Sequence, residues 1–133
     1  MKKITLLFFL SLLPLCAFAQ LPEEGFEGSW PPTGWTIDNN GIGPAAWWTQ
    51  SALGNPLQPP YEGDYAAYIN KENVASGIPE DWLITPQFTM PDNPQLRFFS
   101  RLTQPGDQGS LYRIMVTTGD PTDLSSYDQI QEW

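Results

Sequence analysis

The ten residues Phe26-Glu27-Gly28-Ser29-Trp30-Pro31-Pro32-Thr33-Gly34-Trp35 decide the fold class of this chain. Three large aromatic side chains, one carboxylate, two prolines and two glycines occupy this short stretch. A regular helix does not tolerate the mixture, because proline removes a backbone donor and glycine weakens the helix. The stretch predicts an extended opening strand followed by a rigid turn, and its aromatic side chains need a sheet against which they can be buried.

Proline and glycine divide the rest of the chain in the same way. Fourteen prolines and eleven glycines occur at short intervals, and no helical apolar period lasts for the ten or more residues that a helix needs. The runs with strand character are 35–38, 46–49, 65–69, 82–84, 88–90, 96–102 and 111–117. Short strands separated by turn signals predict an all-β fold, an antiparallel jelly-roll β-sandwich.

The last two runs, 96–102 and 111–117, alternate along the chain and predict an antiparallel hairpin with its turn at 104–109. In the first run, one face carries Leu96, Phe98, Ser100 and Leu102, and the other carries Arg97, Phe99 and Arg101. The end of the chain, 129–132, is polar and predicts no closing strand. We therefore expect a sandwich that is incomplete at its C-terminal end, as in a truncated copy of a larger domain.

The first nineteen residues have the pattern of an export signal. Lys2 and Lys3 precede an apolar run, 4–15, and Ala17-Phe18-Ala19 is a small-x-small cleavage site. The run is too short for a membrane span. We predict a signal peptide at 1–19 and one secreted domain at 20–133, without a transmembrane segment. The alternative is lipid attachment at Cys16, for which Leu13-Pro14-Leu15 is a poor recognition sequence.

The exported part is strongly acidic. It holds all fifteen acids and only four cations (Lys71, Arg97, Arg101 and Arg113), a net charge of −11. Such a surface repels the phosphates of nucleic acids and anionic membranes, so neither is an expected partner. The charge is compatible with cation binding, and equally with simple solubility outside the cell.

Catalysis by the usual nucleophilic machinery is excluded by composition. The chain has no histidine, and its single cysteine, Cys16, lies within the predicted signal peptide. Cys-His and Ser-His-Asp sites and histidine-ligated zinc are therefore ruled out. A two-carboxylate glycosidase stays formally open, but the acids occur mostly singly and in turns. We predict a protein that is not an enzyme.

Calcium is the metal that this composition favours, because calcium is held by carboxylate and carbonyl oxygens on loops. Glu27 and Asp81 are the first candidate ligands, since each stands next to a run expected to be buried, where an unpaired acid is costly. Asp38 and Asp64 are the second pair. The alternative is that Glu27 caps backbone amides or pairs with an arginine, and that Asp81 only opens a strand.

Exposed aromatic side chains are the candidate ligand contacts. Trp47 and Trp48 are neighbours, so on a strand they face opposite sides and one of them can be exposed. Tyr61 lies in the loop Pro59-Pro60-Tyr61-Glu62. An exposed aromatic ring can stack on a sugar. The alternative is that most of these rings fill the core.

The order of several short motifs resembles the cleaved-adhesin domain, also called the choice-of-anchor J domain. This family occurs in secreted and surface proteins of Bacteroidetes-type bacteria, including the adhesin regions of gingipain proteases, and has a looser likeness to MAM domains. The residues that carry the resemblance are Phe26-Glu27-Gly28, Pro32, Gly34, Trp35, Gly63, Tyr65-Ala66, Asp81-Trp82-Leu83-Ile84-Thr85-Pro86 and Leu96-Arg97-Phe98.

The resemblance implies a jelly roll with an adhesive or carbohydrate-binding role and a structural calcium near the strand ends. We accordingly predict a secreted or surface-associated adhesion domain of a Gram-negative bacterium, with a glycan or an extracellular host protein as its partner. Two alternatives stay open. The chain is an accessory domain of a secreted peptidase or other hydrolase whose catalytic part lies elsewhere, or it is a structural spacer.

Overall fold

The computed structural model describes residues 21, 23–43, 48–52, 59–70, 74–103, 106 and 109–133. The predicted signal peptide and Trp47 lie outside these residues. Within them the chain forms strands and one turn of 3-10 helix, Leu124–Ser126, and no α-helix. The strands are β1 (Thr36–Asn39), β2 (Trp48–Ala52), β3 (Tyr65–Ile69), β4 (Asp81–Ile84), β5 (Arg113–Val116) and β6 (Asp128–Glu132).

The strands of the described residues pair into three antiparallel sheets of two strands each. β2 and β3 form one sheet with Trp48 opposite Ile69, and β1 and β4 form another with Thr36 opposite Ile84. Branched and aromatic side chains, which favour the pleated conformation, supply much of these four strands. The all-β antiparallel class is confirmed, while the jelly-roll sandwich stays a prediction.

The predicted hairpin of 96–102 with 111–117 is wrong. β5 pairs instead with β6, a strand that the polar sequence did not predict, and Ile130 is the extra residue at a bulge in β6. Polar cross-strand contacts stabilise this pair, because Arg113 lies opposite Glu132 and forms an ion pair with it. The hydrogen bond from Arg113 to Glu132 raises the pKa of the guanidinium.

Runs 88–90 and 96–102 form no strand, which corrects two further predictions. Their apolar side chains are largely exposed, including Phe88, Leu96 and Leu102. An alternating pattern is necessary for a half-buried strand but does not supply a partner, and a strand needs a neighbour to satisfy its backbone groups.

The turn that precedes the 3-10 helix and β6 is held by local hydrogen bonds. The backbone N–H and the hydroxyl of Thr122 both donate to the carboxylate of Asp120, and these bonds lower the pKa of Asp120.

The opening stretch 26–35 forms a corner, so the predicted opening strand is wrong. Phe26 has a φ of 61°, a left-handed conformation that is rare for a bulky residue. Its N–H donates to the Glu24 carboxylate at 2.6 Å, and its ring centroid lies 5.9 Å from that of Trp30 and 5.7 Å from that of Trp35. The aromatic side chains of the stretch therefore pack against one another as it leads into β1.

Tryptophan side chains connect the small sheets. The indole N–H of Trp48 in β2 donates to the carbonyl of Asp81 in β4 at 3.2 Å, and the indole N–H of Trp30 donates to the carbonyl of Trp48 at 3.1 Å. The rings of Trp82 and Tyr127 lie 5.1 Å apart and join β4 to the start of β6. Burial raises the pKa of the Tyr127 hydroxyl.

Apolar burial is sparse in the part of the chain that the structure describes. Ile84, at the end of β4, is the one large apolar side chain classed as buried there, with 9% of its surface exposed. Ser51 in β2 and Pro32 in the corner are buried as well. The fold therefore depends more than usual on hydrogen bonds and aromatic contacts between its sheets.

Replacing the buried isoleucine tests this account. Ile84→Ala should lower the free energy of unfolding by about 2 to 4 kcal/mol, because it leaves a cavity in place of a buried side chain. The matched control is Ile78→Ala, whose side chain is 77% exposed and whose effect should stay within about 0.5 kcal/mol. Urea unfolding of both variants gives the comparison, and equal losses would contradict the assignment of Ile84 to the core.

Candidate functional site

Glu27 caps the start of β3. The N–H of Asp64 donates to both carboxylate oxygens of Glu27, at 3.0 and 3.1 Å, and the N–H of Tyr65 donates to Oε1 at 3.1 Å. Charge-assisted bonds of this kind are about twice as strong as neutral ones. The carboxylate therefore fastens the opening corner to β3, which is the arrangement expected if Glu27 caps backbone amides.

Gly63 makes this approach possible. Its φ of 74° lies in the left-handed region, and a Cβ atom built on it would stand 2.1 Å from Oε1 of Glu27. A side chain at this position would thus displace the carboxylate from the amides of Asp64 and Tyr65. Sequence analysis named Glu27 and Gly63 separately, and the structure shows that they form one contact.

Asp38 and Asp81 lie in the sheet formed by β1 and β4. Asp38 is opposite Trp82, and Asp81 is opposite Asn39, so the two acids occupy neighbouring positions on paired strands. The carboxylate of Asp38 accepts the N–H of Asn39 at 2.8 Å. Successive residues of a strand point to opposite faces, so the side chains of Asp38 and Asp81 lie on opposite faces of this sheet. Glu27 meets the backbone N–H of Asp64 and not its carboxylate, so the four predicted ligands do not form one group.

The described residues do not gather three or more acidic, histidine or cysteine side chains into a group that could hold a metal ion. Calcium takes six to eight oxygens, so the acids described here do not form a calcium cage from side chains alone, and backbone carbonyls would have to supply most of the ligands. The predicted calcium and its four ligands stay a prediction.

An open depression of about 410 Å³ lies beside Glu27. Its lining includes the acids Glu23 and Glu24, and Glu24 accepts the N–H of Phe26. Two of its three carboxylates, those of Glu24 and Glu27, are therefore already engaged with backbone amides. The third, that of Glu23, belongs to an exposed residue.

The contact of Glu27 with Gly63 yields a prediction. Gly63→Ala should destabilise the chain by about 2 kcal/mol more than Gly41→Ala, because both changes place alanine at a positive φ but only the first clashes with another group. At Gly41 a Cβ would meet nothing within 4 Å. Thermal or urea unfolding measures the difference.

A double substitution provides the control. In a Glu27→Ala background the carboxylate is absent, so the excess cost of Gly63→Ala over Gly41→Ala should disappear. An excess that persists without the carboxylate would show that Gly63 is required for another reason.

Of the two predicted ligand contacts that the structure describes, Trp48 and Tyr61, the exposed one is Tyr61. Its side chain is 71% exposed and stacks on Phe99, with ring centroids 3.6 Å apart and planes at 7°, and Phe99 is itself 63% exposed. Trp48 is half-buried, and its indole N–H is engaged with Asp81. Trp47 lies outside the described residues.

A second group of exposed rings lies at the end of the β5–β6 sheet. Trp133 stacks on Tyr112 with centroids 4.8 Å apart, and the ring of Phe98 meets Trp133 edge-on at 6.0 Å. Sequence reasoning missed Phe98, Phe99 and Trp133 as surface residues, because it assigned the first two to a paired strand. The doublet Phe98-Phe99 could have indicated an exposed ring. Adjacent residues of an extended segment point to opposite sides, so both cannot be buried in the same core.

The chain is similar to an adhesin. Hemagglutinin A of Porphyromonas gingivalis is 29% identical to it over 104 residues, which span 74% of this chain and 5% of that protein. This chain thus spans about one twentieth of the length of that relative. No protein family profile and no solved structure matches the chain.

The similarity fits an adhesion-type protein, and the absence of catalysis stays a prediction. It leaves the cleaved-adhesin family itself as a resemblance. Among the described residues there is also no helix with the length and apolar character needed to cross a membrane.

Proposed function

We propose that this chain is a non-catalytic adhesion domain, secreted or held at the surface of a Gram-negative bacterium, that binds a neutral glycan of a host surface. The observation that carries the proposal is the stacked and exposed pair Tyr61 and Phe99. The similarity to a bacterial hemagglutinin supports the adhesive role, and the export signal predicted at 1–19 supports the location.

The aromatic pair suits a sugar because a sugar ring has apolar faces and polar edges. The rings cover each other on one side, so the outer face of each is the surface that remains for stacking. The Tyr61 hydroxyl and the adjacent Glu62 provide polar groups at the edge of this surface. A neutral glycan is favoured because the charge of −11 on the exported part repels anionic sugars.

Binding to erythrocytes and to an array of neutral glycans tests the proposal. Tyr61→Ala and Phe99→Ala should each weaken binding by about fivefold to tenfold, since each removes half of the aromatic pair. Ile78→Ala is the matched control, because it also removes an exposed apolar side chain but lies outside the pair. Binding that is unchanged in both aromatic variants, or equally reduced in the control, would contradict the proposal.

A structural calcium forms a separate part of the proposal, supported by the family resemblance and by the acidic composition. If Glu27 is a ligand together with backbone carbonyls, calcium should raise the melting temperature of the unchanged chain relative to a chelator and should not raise that of Glu27→Gln. Glu23→Gln, at an exposed acid of the same depression, is the control and should keep the rise.

Differential scanning calorimetry gives the six melting temperatures, those of the three chains in calcium and in chelator. Loss of amide capping in Glu27→Gln lowers stability with or without calcium, so only the difference between the two conditions reports the metal. Equal melting temperatures of the parent chain in calcium and in chelator would contradict the calcium proposal. Glu27 would then serve only to cap the amides of Asp64 and Tyr65.

A further inference from the structure

Residues 95–102 have unused backbone hydrogen-bonding capacity. The backbone continues from 94 to 102 without a turn, a bend, a helix or a strand. No backbone hydrogen bond of the described residues involves this segment, and its one side-chain hydrogen bond joins Ser100 to the hydroxyl of Tyr112 at 3.3 Å. Every residue from 95 to 102 is exposed.

The segment nevertheless has the two faces of a β-strand. Phe98 and Ser100 contact the pair Trp133 and Tyr112, whereas Phe99 contacts Tyr61 at a different part of the molecule. Successive residues thus point to different sides, and alternate residues to the same side, as they do in a strand. The side contacts hold the segment in place while its backbone donors and acceptors stay available.

The charge of the segment indicates what it would accept. Arg97 and Arg101 are two of the four cations outside the predicted signal peptide, and they share the face of Phe99. Neither makes an ion pair within the described part of the chain, where the ion pairs belong to Arg113. At about 3.3 Å per residue along a strand, the Cα atoms of two residues four positions apart stand roughly 13 Å apart, so Arg97 and Arg101 match acids four residues apart on a neighbouring strand.

A second copy of the chain is a poorer occupant. Antiparallel pairing of 96–102 with the same segment of another copy, centred on Phe99, would place Arg97 opposite Arg101 at both ends. Like charges directly opposite each other destabilise a strand pair. The strongly negative charge of each copy adds a general repulsion.

We propose that residues 95–102 form a strand-addition site, which takes an extended acidic segment of another protein that alternates apolar and acidic residues. Backbone hydrogen bonds to 95–102 supply affinity, and Arg97 and Arg101 select the acidic sequence. This proposal does not rest on glycan binding, since it uses the backbone and the arginines where the proposed glycan site uses the outer faces of Tyr61 and Phe99.

The probe is a synthetic nine-residue peptide that alternates valine and glutamate, added to the full chain. It should bind and slow the amide hydrogen exchange of residues 95–102. A peptide that alternates valine and lysine should not bind, and a valine–glutamate peptide methylated on alternate backbone nitrogens should bind at least about tenfold more weakly, because it lacks the donors for strand pairing.

The matched variants are Arg97→Gln/Arg101→Gln and Gln87→Glu/Asn93→Glu, which change the net charge by the same amount at exposed positions. The first should weaken binding of the acidic peptide by about fivefold and the second much less, since only the first removes local pairs. Arg97→Glu/Arg101→Glu should reverse the preference toward the lysine peptide. Thermal unfolding of each variant confirms that it is folded.

Three results would overturn the proposal. The first is equal binding of the acidic peptide by the two matched double variants, which would indicate a general charge effect. The second is binding without protection of the amides of 95–102. The third is a dimer of the chain, detected by light scattering, in which these amides are already protected, which would make a second copy the occupant.

Discussion

The hydrogen bond from the Trp48 indole to the Asp81 carbonyl is the contact on which the arrangement of the described strands depends. It joins the β2–β3 sheet to the β1–β4 sheet, and Trp30 binds in turn to the carbonyl of Trp48. A pair of strands is marginally stable by itself in water, so each small sheet needs the others. Because few side chains are deeply buried here, directional bonds from large aromatic residues take over part of the role that a core has elsewhere.

The Glu27 carboxylate also joins separate parts of the chain, at the start of β3. It accepts the N–H of Asp64, which precedes the strand, and that of Tyr65, which begins it, from a corner 37 and 38 residues earlier in the sequence. Two sets of contacts therefore hold the corner in place. One is the contact of Glu27 with β3, and the other is the packing of Phe26 against Trp30 and Trp35. This double anchoring explains how a segment without strand or helix can hold a fixed course.

The sequence predicted strands well where their own side chains favour the strand conformation. It predicted them poorly where a strand forms because of its pairing with a neighbour. β3 and β4 were predicted almost to the residue, because branched and aromatic side chains dominate Tyr65–Ile69 and Asp81–Ile84. β6 was missed, because a polar run such as Asp128–Glu132 becomes a strand through the ion pair of Glu132 and its pairing with β5. Run 96–102 was assigned a partner that it lacks, since alternation describes the faces of a strand and not its neighbour.

At the candidate site, too, the sequence predicted local features and missed contacts between distant residues. Tyr61 was predicted to be exposed from its proline-rich loop, but its partner Phe99 was not, because a contact between residues 38 positions apart depends on the folded chain. Glu27 was chosen because an acid beside aromatic residues must be satisfied, and the sequence left open whether amides, an arginine or a metal would satisfy it. Amides bind it in the described residues. The surface that remains is the aromatic pair Tyr61 and Phe99 with the two arginines that flank Phe99 in sequence, Arg97 and Arg101, in a chain with a large excess of acids. Both proposed binding sites lie here, because this surface offers exposed rings and cations without an ion pair among the described residues.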